Sequence, residues 1–184
     1  MGTGCSKGLS APWSSSYPLK ILILGKQSSG KTFLLYSWRY GVDAIMSVEP
    51  TKHFNVDTVT TVSDRRILVY DLAGNIGYRL RPFLDGTEGI VYMIYVAEPG
   101  DSIFKEEEES IKQLIQERDL ESTPFLFVIR GHPEGLKGVS QDLTDRLQAT
   151  LEGKQWDIMC VRDYSQEDAD LVLQVLEKML SRRT

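Results

Sequence analysis

Leu19-Lys20-Ile21-Leu22-Ile23-Leu24 runs directly into Gly25-Lys26-Gln27-Ser28-Ser29-Gly30-Lys31-Thr32, and Phe33-Leu34-Leu35 follows. The first six residues form an apolar run of the kind buried on both faces of a parallel sheet. The next eight fit G-x-x-x-x-G-K-[ST]. Gly25 and Gly30 carry no side chain, so the backbone from Lys26 through Gln27, Ser28 and Ser29 can curl until successive N–H groups converge on phosphate oxygens. The helix that opens at Lys31 points its positive end at the same place. Lys31 sets a charge on the outer phosphates, and the Thr32 hydroxyl can ligate Mg²⁺. Phe33 is counted with this nucleotide cradle as the first apolar residue behind it. The competing reading is a Gly/Ser turn that holds nothing, and the strand–loop–helix order argues against it.

Bulk properties narrow the setting. A chain of 184 residues with 41% hydrophobic content suits one domain with an ample core. The net charge of −5 and the absence of a Lys/Arg cluster argue against a nucleic-acid partner, which would need a basic face to neutralise phosphates. Cys5 lies in a polar tail and Cys160 in the apolar run Ile158-Met159-Cys160-Val161, so a reducing cytosol is expected and no disulfide framework. Nowhere do some eighteen apolar residues run together, which excludes a helical membrane span by sequence.

The remaining pattern alternates strands with helices. The cradle helix is predicted over Lys31 to Tyr40. His53 to Val62 alternates through Phe54, Val56 and Val59, Ser63-Asp64-Arg65 turns the chain, and Arg66 to Asp71 returns, which predicts a hairpin. Gly89 to Val96, Pro124 to Ile129 and Trp156 to Val161 read as further strands. Ser102 to Arg118 reads as a helix with Glu106 to Glu109 on a solvated face. Ser165 and Asp168 resemble a capping box ahead of a stripe from Leu171 to Leu180. The fold class that follows is α/β, a mostly parallel six-stranded sheet with helices on both faces, of the P-loop NTPase type. Phe54 and Val56 are either a partner-binding edge or one face of the sheet.

In such a sheet, ligands lie beyond the carboxyl ends of the strands. Asp71 ends an apolar strand there. Its carboxylate suits a metal shell, reached through water, and Leu72-Ala73-Gly74 makes a small turn that offers the Gly74 N–H to a terminal phosphate.

The amino terminus, Met1-Gly2-Thr3-Gly4-Cys5-Ser6, fits the myristoylation pattern at Gly2, with Cys5 placed for a second acyl group. One acyl chain binds a bilayer marginally and two bind it stably. The alternative is a chance match in a short Gly/Ser tail. Residues 1–18 are expected to be a flexible acylated tether and 19–184 the nucleotide-binding domain.

Together these pieces resemble a small GTPase of the Arf and Arf-like branch, from about Leu19 to Leu180. The resemblance implies that Gly25 to Thr32 is the phosphate loop, that Thr51 after Pro50 is the switch threonine meeting Mg²⁺ in the triphosphate state, and that Asp71 to Gly74 starts the second switch. Thr32, Thr51 and Asp71 are then the Mg²⁺ residues, with GTP or GDP as the nucleotide. Pro50-Thr51 with Phe54-Asn55-Val56, and Arg81-Pro82, resemble the family's switch segments. Lys52 and His53 replace compact residues that let the Arf hairpin slide.

Two positions depart from the pattern. Asn75 stands where the family places its water-orienting glutamine; with one methylene less reach, and with the Gly74 amide beside it, hydrolysis should be slow. Where the family's Asn-Lys-x-Asp reads guanine, this chain has Arg130-Gly131-His132-Pro133, with Glu134 adjacent, so affinity should weaken and base choice should relax. Arg130 either stacks on a purine through its guanidinium plane or belongs to an exposed loop.

Three functions fit the sequence. The first is a lipid-anchored, Mg²⁺-dependent nucleotide switch, peripheral on the cytoplasmic face of a membrane. It would recruit protein effectors through its switch and interswitch region, as a monomer or as a subunit of a larger assembly. The second is a pseudo-GTPase adapter with weak, locked or absent nucleotide. The third, a small P-loop kinase, leaves the Pro50-Thr51-to-Gly74 series unexplained.

Overall fold

A computed structural model describes residues 17–96, 103–131, 136, 138–161 and 165–182. Strand β1 (Leu19–Leu24) feeds helix α1 (Lys31–Tyr40). The hairpin pairs β2 (Phe54–Thr60) with β3 (Arg66–Leu72), and a short α2 (Arg81–Leu84) leads to β4 (Gly89–Val96). Then come α3 (Ile103–Ile115), β5 (Phe125–Gly131), α4 (Val139–Leu147), β6 (Trp156–Val161) and α5 (Gln166–Ser181). The sheet order is β2-β3-β1-β4-β5-β6, and only β2 runs antiparallel to its neighbour. Strand β1 is therefore central, flanked by β3 and β4. The chain moves outward from it in both directions, and its carboxyl end opens into the crevice where such sheets bind ligands.

The apolar runs dictate this layering. Ile90, Val91, Met93 and Ile94 of β4 and Phe125 to Ile129 of β5 are fully buried, as strands covered by helices on both faces must be. Alternate side chains of β5 divide between two cores. Phe125, Phe127 and Ile129 join Ile111, Leu114 and Ile115 of α3 with Leu143 and Leu147 of α4. Leu126 and Val128 join Leu34 and Leu35 of α1 with Val172, Leu173 and Leu176 of α5.

The elements follow the sequence pattern closely, with three differences, and one acid expected on a solvated face, Glu107, is instead buried and accepts from the Tyr92 hydroxyl (3.1 Å). Strand β2 is shorter at each end than the alternating stretch. Helix α3 stops at Ile115, and an extended backbone at Glu117 turns the chain into a single 3₁₀ turn that buries Leu120. Helix α4 was not singled out by the sequence pattern. Its apolar stripe is thin, Leu143 and Leu147 with Val139 behind them, and it starts at Gly138 without a side-chain cap. Arg146 also pairs with Asp142 one turn earlier (2.9 Å) and with Glu108 of α3 (3.2 Å).

The hairpin turn forms as predicted, with Asp64 left-handed (φ 62°) and the Thr61 N–H donating to the Arg65 carbonyl (2.9 Å). Phe54 and Val56 lie on the sheet's edge strand and are exposed. The Phe54 ring also packs on Tyr70 and Phe83, so it belongs to both the edge and one face.

Candidate functional site

The loop after β1 has the curl that its glycines allow. Ser28 (φ 63°) and Gly30 (φ 97°) are left-handed, and Gly30 is the last residue before α1. Gly25 (φ 132°) is required for a further reason: a Cβ there would lie 2.1 Å from the Met93 carbonyl oxygen of β4. The loop thus lies directly on the sheet. Lys31 is buried and donates to the Gly25 (2.8 Å) and Lys26 (2.6 Å) carbonyls. Burial pushes its ammonium below the ordinary lysine value, and the charges of Asp71 and Glu107 oppose that shift.

A cavity of about 470 Å³ opens over this loop. Of the sequence-predicted residues, Gln27, Ser28, Gly30, Lys31, Thr32, Phe33, Thr51, Gly74 and Arg130 line it; Gly25, Lys26, Ser29 and Asp71 are not part of the lining, nor is Asn75, which is exposed. The first-switch segment Val48-Glu49-Pro50 closes one wall, a contribution the sequence reading missed apart from Pro50. The Arg130 guanidinium lies over the Tyr95 ring at 4.9 Å, one strand across, and lines the cavity.

Three elements bring oxygen ligands to one point. Thr32 of α1 donates to Asp71 Oδ2 at the end of β3 (2.6 Å), and Thr51 donates to the same oxygen (3.2 Å). The two threonine hydroxyl oxygens are 2.9 Å apart. Asn55 completes the cluster, donating to Asp71 Oδ2 (2.9 Å) and Thr51 Oγ1 (3.2 Å). Its role was legible only through pairing register, since Asn55 stands directly opposite Asp71 across the hairpin. Asp71 is fully buried, and its other oxygen, Oδ1, meets no hydrogen-bond partner among the described residues. A buried carboxylate oxygen left orphaned beside two hydroxyls fits a hard divalent cation with water and phosphate in its shell.

Gly74 sits against the phosphate loop. A Cβ on it would fall 2.1 Å from the Gln27 nitrogen, so no larger residue fits without moving the turn. Beyond it, Lys52, His53, Phe54, Ala73, Ile76, Arg79 and Phe83 line a second, mostly apolar cavity of about 210 Å³ between the hairpin and the second switch.

Gly2 and Cys5 lie outside the described residues, as do His132, Pro133, Glu134 and the Arg162-Asp163 segment. Among the described residues no helix is long and apolar enough to cross a membrane.

Comparison with known proteins agrees with this geometry. The model of the ADP-ribosylation factor family matches residues 6–180. ADP-ribosylation factor-like protein 3 of Caenorhabditis elegans is 29% identical over 147 residues, 78% of either chain. ADP-ribosylation factor-like protein 1 of Saccharomyces cerevisiae is 26% identical over 166 residues, 86% of either chain. The Arl6 small GTPase of Trypanosoma brucei, solved with the nucleotide analogue GppNp, superposes with a TM-score of 0.73 over 91% of this chain and all of its own, at 16% identity, and so shares the fold. With a family match spanning nearly the whole chain and a P-loop fold to carry it, the protein belongs to the ADP-ribosylation factor family, as an Arf-like small GTP-binding switch.

Proposed function

We propose that this chain is a lipid-anchored, Mg²⁺-dependent nucleotide switch with slow intrinsic hydrolysis. The single observation that carries the reading is the convergence of Thr32, Thr51 and Asp71, with Asp71 Oδ1 buried and orphaned. Thr51 reaches that point from the first switch and Asp71 from the strand before the second, so one site can order both segments. Thr32 and Thr51 directly, and Asp71 through water, would hold a magnesium ion that neutralises charge on the phosphates of GTP or GDP. Lys31 and the amides of Gly25 to Thr32 bind and orient the phosphates, and the Gly74 N–H meets the terminal one. Arg130, braced on Tyr95, covers the base end. The ordered switches and the exposed Phe54 and Val56, with the second cavity beside them, make the effector surface. Gly2 and Cys5 carry the acyl anchor.

A second reading, a locked or non-hydrolysing adapter, is favoured by one observation: Asn75 is exposed and stands outside the cavity lining. The deciding experiment is chemical identification of what elutes from the denatured full-length protein, beside Lys31→Ala. GDP in the wild type and none in the variant supports a turning switch, GTP supports a switch or a locked state, and no nucleotide in either overturns the switch in favour of the adapter. For the anchor, fatty-acid labelling that is lost in Gly2→Ala and in Cys5→Ser supports acylation, and an unlabelled wild type removes it.

A further inference from the structure

Strand β2 does little to fix its own position. Of its seven residues Val59 alone is buried, and as an edge strand it pairs only with β3. The hairpin therefore meets the rest of the sheet through one ladder, β3 on β1, from Leu19 opposite Ile67 to Ile23 opposite Asp71. The apolar pattern of β3 repeats every two residues. Ile67 and Val69, both fully buried and β-branched, face one core, and Tyr70 and Leu72 face the other. A slip of one residue would turn every side chain to the wrong face, but a slip of two would not. Burial thus distinguishes poorly between two positions of the hairpin about 7 Å apart.

Side chains make the choice. At the carboxyl end of β3, Asp71 accepts from Thr32 of α1 (2.6 Å). At the other end the turn is tied to α5, where the Thr61 and Ser63 hydroxyls both donate to Glu177 Oε1. Thr61 is buried, and its Oγ1 also accepts the Arg65 N–H (3.2 Å), so this hydroxyl joins the backbone of the turn to the carboxylate. Glu177 is half-buried on a helix anchored in the core by Val172, Leu173 and Leu176, which makes it a fixed post. Between the two ends, Asp57 meets Arg39 (3.0 Å) and the Tyr40 hydroxyl (3.2 Å) of α1, but an ion pair this exposed adds little. A two-residue slip would carry Thr61 and Ser63 out of reach of Glu177 and strip a buried hydroxyl of its acceptor.

We propose that Glu177 is a positioning residue that pins the β2–β3 hairpin in this one register whatever nucleotide is bound, and so keeps Asp71 and Thr51 facing Thr32. Thr51 and Asn55 reach Asp71 from the hairpin's own side, whereas Asp71 reaches Thr32 through the β1–β3 register that Glu177 holds. Nucleotide-linked movement is then confined to the segments ahead of Phe54 and after Leu72, with the hairpin a rigid rail between them. The hairpin slide that the resemblance to the Arf branch implies is removed in this chain. For what Thr51 and Asp71 hold, the inference rests on the switch reading; the pinned register does not.

The distance between two spin labels tests it, on the unacylated full-length chain with C5S and C160S removing the native thiols. One label goes on V62C at the hairpin turn and the other on Q141C in the first turn of α4, both exposed and at opposite ends of the sheet along its strands. With Glu177 in place, GDP-loaded protein and protein loaded with a non-hydrolysable GTP analogue should agree to well within the two-residue step of about 7 Å. E177A should add a second population displaced by several ångström and speed nucleotide release in Mg²⁺ by about tenfold or more, as the loss of an outer support to a metal site does. E177Q keeps an acceptor oxygen and should restore both. A displacement between nucleotide states with Glu177 intact overturns the proposal, as does a single unchanged distance in E177A. Equal disturbance in E177Q and E177A would make Glu177 a packing residue and overturns it too. If the wild-type chain holds no nucleotide, the switch reading fails, and the E177A comparison on the ligand-free protein still decides the pin.

Discussion

The Thr32 hydroxyl of α1 lies 2.6 Å from Asp71 Oδ2 at the end of β3, joining the phosphate loop to the strand that enters the second switch. The carboxylate collects Thr51 and Asn55 on that same oxygen, while its Oδ1 stays orphaned in a fully buried position. A carboxylate bonded on one side only is oriented toward something on the other. Replacing it by the amide in Asp71→Asn keeps the shape and removes the charge. Outer-shell substitutions of this kind weaken metal affinity about 10- to 100-fold, and a loss in that range is expected here. The Mg²⁺ dependence of nucleotide release is the measurement, and an unchanged dependence would remove Asp71 from the metal site.

Gly74 is a steric choice. Because an added Cβ would sit 2.1 Å from the Gln27 nitrogen, Gly74→Ala must displace the turn from the phosphate loop. The variant should stay folded, since the change is at the surface of the cavity and leaves both cores intact. What it should lose is discrimination: the difference in protease sensitivity between GTP-loaded and GDP-loaded protein is expected to vanish. A wild-type difference would mean that the contact is incidental to switching.

Burial holds the Lys31 ammonium below the lysine value of 10.5. In the alkaline interval just below that value the unfolded chain binds more protons than the folded one, so stability of the ligand-free protein rises with pH there. Phosphate in the cradle acts in the opposite direction, favouring the charged lysine. Nucleotide binding should therefore take up protons in that interval and weaken as pH climbs through the folded-state value of Lys31. Calorimetry in buffers of different ionisation enthalpy reads the uptake directly. Uptake should vanish well below that interval, where Lys31 is charged with and without phosphate, and uptake that does not depend on pH would assign the proton elsewhere.

The cap of α5 shows how far local rules reach. Ser165 and Asp168 stand at the spacing of a cap, and the Asp168 N–H does donate to Ser165 Oγ (3.1 Å). Ser165→Ala is expected to lower stability by about 1 kcal/mol, measured by denaturant unfolding. A change near zero would show that the helix is fixed by packing alone.

Such signals made the sheet, α1, α5 and the phosphate loop legible, because each is written in contiguous residues with its own period or turn chemistry. Helix α4 was not, because its apolar stripe is short, Leu143 and Leu147 buried in the core, and it opens at Gly138 without a side-chain cap. The same division runs through the site. Lys31 and Thr32 declare themselves in the motif, whereas Asn55 acquires a role only when the antiparallel register sets it opposite Asp71. Val48 and Glu49 become cavity wall only when the first switch folds against the same cavity as the phosphate loop, a long-range event that no local pattern encodes.

Asn75 gives the sharpest prediction about turnover. It follows Gly74 immediately, so its backbone is anchored next to the phosphate loop, but its side chain is exposed and absent from the cavity lining. Orienting a water for attack tolerates errors of a fraction of an ångström, and a misplacement of about 1 Å loses on the order of a hundredfold in rate. Asn75→Gln adds one methylene on the same backbone and should raise single-turnover GTP hydrolysis by about tenfold or more, with nucleotide affinity unchanged because the cradle is untouched. Asn75→Ala, by contrast, should change little, since an amide that does not reach the water contributes little to lose. A rate that falls in Asn75→Ala and fails to rise in Asn75→Gln would show that the shorter amide already positions the water, and that slow turnover, if observed, originates in the first switch instead.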